Sequence, residues 1–156
     1  MEPIIKNISD KILVGMQTEM SIVNNQTFKL FKTFMPRKKE IMNIVDDNVY
    51  DLRIYPANYY EVFDPQAQFI KWAAAEVSDN NDIPTDMETF HLQGGQYAVF
   101  HYKGLNSDPS IFQYIFTEWL PQSGYTLDYR PHFEIMGPKT KLNDPNSEEE
   151  IWIPIK

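Results

Sequence analysis

The amino-acid sequence predicts an α+β fold in which two similar halves share one sheet. Three observations support this prediction. The chain has 156 residues, the usual size of a single compact domain. The element order strand-helix-strand-strand occurs twice along it, without any repeat of the sequence itself. A polar stretch at 78–88, rich in Asp and Asn, separates the two copies, so we expect one domain, 1–156, with halves at about 1–80 and 90–156.

The first half begins with a strand at about 11–20, where Ile, Val and Met alternate with other residues. The asparagines at 24–25 are possible N-caps for a helix whose apolar residues fall on one side. Pro36 is expected to stop or bend this helix. Two more strands are predicted, at 50–55 and at 69–77, the first of them ended by a proline.

The second half repeats this order of elements. The glycines at 94–95 are interpreted as a turn before a strand at 96–102. Asp108-Pro109 is a strong helix start, because a capping carboxylate precedes a proline at the first helical position. The helix carries a regular apolar stripe and is expected to end near Pro121 and Gly124. The last two strands are predicted at 132–136 and 150–155.

The composition limits the classes of partner and site. The net charge of −8 disfavours binding to nucleic acid. There is no cysteine, the three histidines (91, 101 and 132) are scattered, and no phosphate-loop or dinucleotide motif occurs, so we expect no metal and no cofactor. Without a signal-peptide pattern or a membrane-spanning segment, a cytoplasmic protein is expected. Aromatic residues make up 14%, and some of these rings are expected to line a groove.

Glu134 is the first candidate site residue. In an extended strand it points the same way as His132 and Met136, whereas Phe133 and Ile135 point the other way. If Phe133 and Ile135 pack under the helices, Glu134 lies on the opposite face among apolar neighbours, where a carboxylate needs a partner. The alternative is that this face is solvent and that Glu134 is a surface residue. The residues alone leave these two interpretations equally open.

The terminal strand supplies a second set of candidates. Glu150 and Trp152 share one face, and the isoleucines 151, 153 and 155 form a core face on the other side. Trp152 is then either an exposed ring at an edge or a wall of the cleft that contains Glu134. A tryptophan beside a carboxylate is a common way to bind a delocalised organic cation.

A third set is rich in aromatic rings. Tyr55 and Tyr60 flank a proline-containing turn, and Trp72 follows in the next strand. We interpret these rings as a possible cover of the cleft. Ordinary packing within a hairpin explains each of them at least as well.

Six motifs in this order resemble the GyrI-like small-molecule-binding domains, the effector-binding domains of AraC-type and MerR-type bacterial regulators. The resemblance covers nearly the whole chain, and each motif is weak by itself. The motifs are Leu13-Val14-Gly15, Leu30-Phe31-Lys32-Thr33-Phe34-Met35-Pro36-Arg37, Trp72-Ala73-Ala74-Ala75-Glu76-Val77, Trp119-Leu120-Pro121-Gln122-Ser123-Gly124-Tyr125, Phe133-Glu134 and Glu150-Ile151-Trp152-Ile153-Pro154-Ile155.

The resemblance implies a tandem repeat of two β-α-β-β units, SHS2-like, which form a curved antiparallel sheet with two helices and a central ligand cleft. It also implies that the family binds bulky, often cationic aromatic compounds, with a glutamate at the position of Glu134 as counter-ion. Further cleft walls are implied at these positions: Met136, Glu150 and Trp152, with Trp72 and Trp119 as additional candidates.

Three hypotheses follow for function. The first is a multidrug-type sensor or sequestering protein, in which Glu134 supplies the charge. The adaptable side chain of Met136 favours such a permissive binder over an enzyme. The second, implied by the resemblance, is a hydrolase of strained electrophiles that uses Glu134 and a tyrosine, with Tyr55, Tyr60 or Tyr97 as candidates. The third is a protein-interaction module. Because the DNA-binding helices of full regulators are absent, we expect a stand-alone form.

Overall fold

The computed structural model describes residues 1–156 as one antiparallel sheet of eight strands with two helices. Helix α1 spans Thr27–Phe34 and continues as a 3₁₀ turn over Met35–Glu40. Helix α2 runs through Ser110–Tyr114, a π-helical turn at Ile115–Trp119, and Leu120–Gln122. The strands are β1 (Ile4–Ile8), β2 (Lys11–Met20), β3 (Val49–Ile54), β4 (Phe69–Val77), β5 (Glu88–Leu92), β6 (Gly95–Lys103), β7 (His132–Met136) and β8 (Glu148–Pro154).

The sheet confirms the predicted pair of β-α-β-β units. Its strand order is β1-β6-β8-β7-β3-β4-β2-β5. The first unit supplies β2, α1, β3 and β4, and the second supplies β6, α2, β7 and β8. The units meet where β3 pairs with β7, with Asp51 opposite Glu134. The centre of the sheet is therefore built from both halves of the chain.

Two strands, β1 and β5, were not predicted. β1 pairs with β6 at one end of the sheet, although only Ser9 and Asp10 separate it from β2, near the other end. In a flat sheet β1 and β2 would lie roughly 30 Å apart, at about 4.8 Å per strand, and two residues cannot bridge that distance. The sheet therefore curves until its two ends meet, which agrees with the predicted curved sheet.

The curved ends meet at Gly94, in the connection between β5 and β6. Its backbone N–H donates to Asp10 Oδ1 at 2.7 Å. A Cβ at this position would overlap the carbonyl oxygen of Ile8 and lie 2.7 Å from the carbonyl carbon of Ser9. The interpretation of Gly94 as an ordinary turn residue was therefore incomplete. Its lack of a side chain allows the β1–β2 and β5–β6 connections to cross in close contact.

Both helices pack on one face of the sheet. Helix α1 buries Leu30 and Phe34 against β2 and β4, and α2 buries Ile111 and Ile115 against β6 and β8. The central strands β3 and β7 lie between these two apolar clusters. The two helices are therefore separated over the middle of the sheet, and we call the region between them the interhelical cleft.

The opposite face of the sheet carries a separate apolar core. It joins residues from strands at both ends of the sheet, which shows that the sheet curves around this face. Its largest members are Tyr50, Trp72, Tyr97, Phe133 and Trp152. No helix of the structure has the length and apolar character needed to span a membrane.

Candidate ligand-binding site

Five charged residues come together on the floor of the interhelical cleft. In the strand register, Asp51 lies opposite Glu134 and Arg53 lies opposite Lys71. Glu149 lies opposite Met136, and Met136 is on the same face of β7 as Glu134. Directly paired and alternate residues point to the same side of a sheet, so all five side chains share the helix-bearing face. We call them the interhelical cluster: Asp51, Arg53, Lys71, Glu134 and Glu149.

Ion pairs connect four members of the cluster. Arg53 Nη2 donates to Glu134 Oε1 at 2.7 Å, and Arg53 Nε lies 3.7 Å from Asp51 Oδ1. Lys71 Nζ lies 3.3 Å from Asp51 Oδ2 and donates to Thr27 Oγ1 of α1 at 2.9 Å. These four charged side chains are only 9–13% exposed. At such burial an ion pair is weakly screened by solvent, and the loss of one partner leaves a costly unpaired charge.

Arg53 remains charged in this environment. Burial by itself would lower the pKa of its guanidinium, but the adjacent carboxylates of Glu134 and Asp51 raise it well above the ordinary value. Two polar atoms of the cluster, Arg53 Nε and Asp51 Oδ1, have no hydrogen-bond partner within the protein. Buried polar atoms are normally hydrogen-bonded, and the nearest opposite charge for each of these two is the other, at 3.7 Å.

Glu149 differs from the other carboxylates because it takes part in no ion pair. Its side chain faces Glu134, and the residue is 8% exposed. Burial, followed by the charge of Glu134 and a hydrogen bond with it, raises the pKa of Glu149 to about 8. Two carboxylates in contact cannot both ionise easily. Burial and the contact with Glu134 therefore favour the protonated form of Glu149.

Aromatic rings close one end of the cleft. Tyr60 stacks on Phe116 of α2 and on His132 of β7, with ring centroids 4.9 and 5.4 Å apart and interplanar angles of 25° and 17°. Phe116 and His132 also stack on each other at 6.2 Å, so the three rings form a triangle. Tyr55 meets both Tyr60 and His132 edge to face. The guanidinium of Arg53 lies 5.6 Å from the ring centroid of Phe112. The charged floor is thus bordered by rings from α2, from β7 and from the segment after β3.

The polar groups of these rings are neutral. Burial, and then the positive charge of Arg53, lower the pKa of His132 to about 3. Burial raises the pKa of Tyr60 far above its ordinary range, and it raises that of Tyr55 although the contact with Arg53 opposes the change. On the other side of Tyr60 and His132 lies a cavity of about 220 Å³, which also reaches Arg130.

The structure corrects several of the predicted positions. Phe133 and Ile135 do not pack under the helices: they belong to the opposite core, and Glu134 is on the helix-bearing face. Trp152 pairs with Phe133 and stacks on it at 5.2 Å, so it lies on the opposite face from Glu134. The expectation that Trp152 walls the same cleft is therefore wrong.

Four more predicted wall or donor residues lie outside the interhelical cleft. Glu150 shares the face of Trp152 and accepts a hydrogen bond from its indole at 3.3 Å. Trp72 and Tyr97 are buried in the opposite core, and the Tyr97 hydroxyl donates to Pro131 O. Trp119 contacts Phe100 edge to face and borders a groove of about 640 Å³ between α2 and the N-terminal residues.

Three predicted residues do lie in or beside the cleft. Met136 shares the face of Glu134 and pairs with Glu149. Tyr55 and Tyr60 lie close enough to Arg53 for its positive charge to act on the pKa of their hydroxyl groups. No tyrosine hydroxyl donates to Glu134, whose donor is Arg53. Sequence reasoning missed the other four members of the cluster, Asp51, Arg53, Lys71 and Glu149. The alternation of side chains along β8 could have identified Glu149, because this residue points to the same side of the strand as the isoleucines that pack beneath α2.

A family model of the GyrI-like small-molecule-binding domain matches residues 1–156. The chain belongs to the GyrI-like family. The two β-α-β-β units and the cleft between their helices are therefore the GyrI-like architecture in this chain. No curated protein sequence matches it.

Solved structures are similar to this GyrI-like chain in fold. SAV2435 bound to tetraphenylphosphonium matches with a TM-score of 0.71 and 16% identity, over 100% of this chain and 94% of SAV2435. The C-terminal domain of EcmrR matches with a TM-score of 0.72 and 12% identity, over 99% of this chain and 97% of that domain. A hydrolase from Listeria innocua matches with a TM-score of 0.62 and 10% identity, over 99% of this chain and 92% of the hydrolase.

Proposed function

We propose that this GyrI-like domain binds bulky, amphipathic aromatic cations in the interhelical cleft, as a multidrug-type sensor or sequestering protein. The observation that carries the proposal is the buried interhelical cluster beneath a border of aromatic rings. Burying five ionisable groups on one sheet face is costly for stability alone. Such an arrangement is typical of a site that must recognise charge in a molecule with a large apolar surface.

The carboxyl groups of the cleft favour a cation. Three of them, those of Asp51, Glu134 and Glu149, face two cationic groups, those of Arg53 and Lys71, so the cluster becomes negative when Glu149 ionises. The chain as a whole carries a charge of −8, which attracts cations over longer distances. A similarly folded protein has been solved with an aromatic cation, tetraphenylphosphonium.

The rings of the cleft favour an aromatic ligand. Tyr60, Phe116 and His132 form a cluster of three mutually stacked rings, and an aromatic ligand could take the place of one of them. A ligand ring that replaced Tyr60 would join the cleft to the cavity of about 220 Å³ behind it. Because ligand sites usually measure about 300–1,000 Å³, opening by displacement of Tyr60 is part of the proposal.

Calorimetric titration tests charge selection with two ions of the same shape, tetraphenylphosphonium and tetraphenylborate. We expect saturable binding of the cation and at least tenfold weaker binding of the anion. Glu134→Gln removes one carboxylate and is expected to weaken cation binding by roughly 1–3 kcal/mol, the range for a charge-assisted contact. Equal affinity for both ions, or an unchanged affinity in Glu134→Gln, would remove the proposed role of this residue.

Tyr60→Ala tests the location of the site. If the tyrosine ring occupies the position of a ligand ring, its removal should increase affinity for tetraphenylphosphonium. Phe63→Ala is a suitable control, because Phe63 is 82% exposed and lines neither the ring cluster nor the cavity behind it. A ligand bound elsewhere would respond equally to both substitutions.

The alternative of a hydrolase has less support from the geometry. That mechanism uses a tyrosine as proton donor beside Glu134, whereas the groups that contact Glu134 are Arg53 and Glu149 and no tyrosine hydroxyl donates to it. Incubation with a cyclopropane-bearing alkylating compound, followed by mass spectrometry of the products, compares the two functions directly. Turnover that disappears in Glu134→Gln would favour the hydrolase.

A further inference from the structure

We propose that Glu149 makes the cleft selective for cations by exchanging its carboxyl proton for the bound cation, an inference that rests on the proposed function. Glu149 lies at the junction of β7 and β8, next to Glu134 and beneath the interhelical cleft. Its role would be distinct from that of Glu134, the residue that the sequence singles out.

The ion pairs of the cluster leave Glu149 without a counter-charge. Arg53 bonds to Glu134 at 2.7 Å and lies 3.7 Å from Asp51, and Lys71 lies 3.3 Å from Asp51. Both cations are thus paired with the other two carboxylates. An incoming cation that approached Glu134 alone would compete with an arginine already in place.

The surroundings of Glu149 disfavour its ionised form in the free protein. The ionisable groups that face it are Glu134 on β7, Asp51 and Arg53 on β3, and Tyr102, its cross-strand neighbour on β6. Neither helix contributes an ion pair to it. Burial and the two carboxylates outweigh the more distant arginine and raise the pKa of Glu149 to about 8.

The proposed exchange balances charge and atoms. With Glu149 protonated, the cluster holds two positive and two negative groups and is neutral. When an organic cation enters, the O–H bond of Glu149 ionises, the proton leaves to solvent and the electron pair stays on the carboxylate. One positive charge enters and one leaves, so the buried cluster remains neutral and no unpaired charge is left in the cleft.

Calorimetric titration of the full chain with tetraphenylphosphonium from pH 6 to pH 9.5 measures this exchange. Each titration is repeated in phosphate and in Tris, whose ionisation enthalpies differ, so that the number of released protons is obtained. At pH 7 we expect close to one proton released per cation. Affinity should rise about tenfold per pH unit below pH 8 and level off above it, as competition between one proton and one cation requires.

A pair of neighbouring substitutions isolates the residue. Glu149→Gln resembles the protonated side chain in shape and cannot ionise, so its affinity should not depend on pH and should be no higher than that of the unaltered protein at pH 6. It should be at least tenfold weaker at pH 9 and should release no proton. Glu150→Gln removes the same charge one position along the strand, on the opposite face, and retains an oxygen for the Trp152 indole. It should behave like the unaltered protein.

The outcomes separate this inference from the proposed function. Saturable binding whose affinity does not depend on pH, without proton release, would overturn the exchange and leave cation binding intact. Absence of saturable binding at every pH would overturn both. Carboxyl ¹³C NMR of the free protein gives a test that needs no ligand: the Glu149 signal should titrate near pH 8 and be absent from Glu149→Gln, and titration near pH 4 would overturn the exchange.

Discussion

Replacement of Arg53 by methionine should destabilise the protein far more than loss of an exposed arginine does. Arg53 is paired with Glu134 at 2.7 Å, and the two side chains are 12% and 13% exposed. Methionine retains most of the aliphatic volume next to Phe112 but leaves the Glu134 carboxylate buried without its cation. Breaking a buried pair from one side costs about 3–5 kcal/mol, which is a large part of the stability of an ordinary domain.

Urea unfolding at pH 7, followed by circular dichroism, measures this loss. Arg37→Met is the control, because Arg37 forms an exposed pair with Glu40 at 2.9 Å. A surface pair of this kind contributes little to stability, because solvent screens the two charges. The double variant Arg53→Met/Glu134→Gln removes the buried charge that Arg53→Met leaves behind, so it should recover about 1–2 kcal/mol relative to Arg53→Met.

Equal losses for Arg53→Met and Arg37→Met would refute the reasoning, because they would mean that solvent screens the Arg53–Glu134 pair as it does a surface pair. A double variant less stable than Arg53→Met would also contradict it. In that case the cost would come from lost packing rather than from an unpaired charge.

Three further predictions concern the ring border, the crossing and the opposite face. In the folded protein the pKa of His132 is about 3, below its ordinary value. Below about pH 6.5 the unfolded chain therefore binds a proton at this histidine that the folded chain does not, and the free energy of unfolding falls as the pH drops. Between pH 7 and pH 5 this contributes a loss of about 2 kcal/mol, which should be absent from urea unfolding of His132→Gln. Gly94→Ala should lower the free energy of unfolding by more than about 3 kcal/mol in the same assay, because the added Cβ would overlap backbone atoms of Ile8 and Ser9. Gly137→Ala is the control and should be nearly neutral, because its Cβ would meet only a side-chain oxygen 3.0 Å away. Trp152→Phe should leave the calorimetric affinity for tetraphenylphosphonium unchanged, and a tenfold loss would show that the opposite core takes part in binding.

The main elements of the fold could be predicted from the sequence because their signals are local. Alternation defined β2 at 11–20 and β7 at 132–136, and both are observed at these bounds. Asp108 was predicted as a cap, and its Oδ1 accepts a hydrogen bond from the Ser110 N–H at 3.0 Å. β1 was missed because this edge strand is mostly exposed and has no clear alternation of apolar residues.

Within the site, the alternation of side chains correctly predicted which residues share a face only within a single strand. It correctly placed Glu134 and Met136 on the same side of β7. It could not show which side of β8 faces them, because that depends on the register between two strands separated along the chain. Choosing Glu150 and Trp152 rather than Glu149 and Ile151 was a shift of one residue, and such a shift reverses every side chain of a strand.

The sequence by itself determined the two β-α-β-β units, their order, and the importance of the strand that contains Glu134. Only the tertiary structure decided what surrounds that carboxylate. Arg53 is 81 residues away along the chain, and it contacts Glu134 because β3 of one unit pairs with β7 of the other. Periodicity reports which side chains of one element share a face, whereas charge pairing, burial and the raised pKa of Glu149 arise from how separate elements meet.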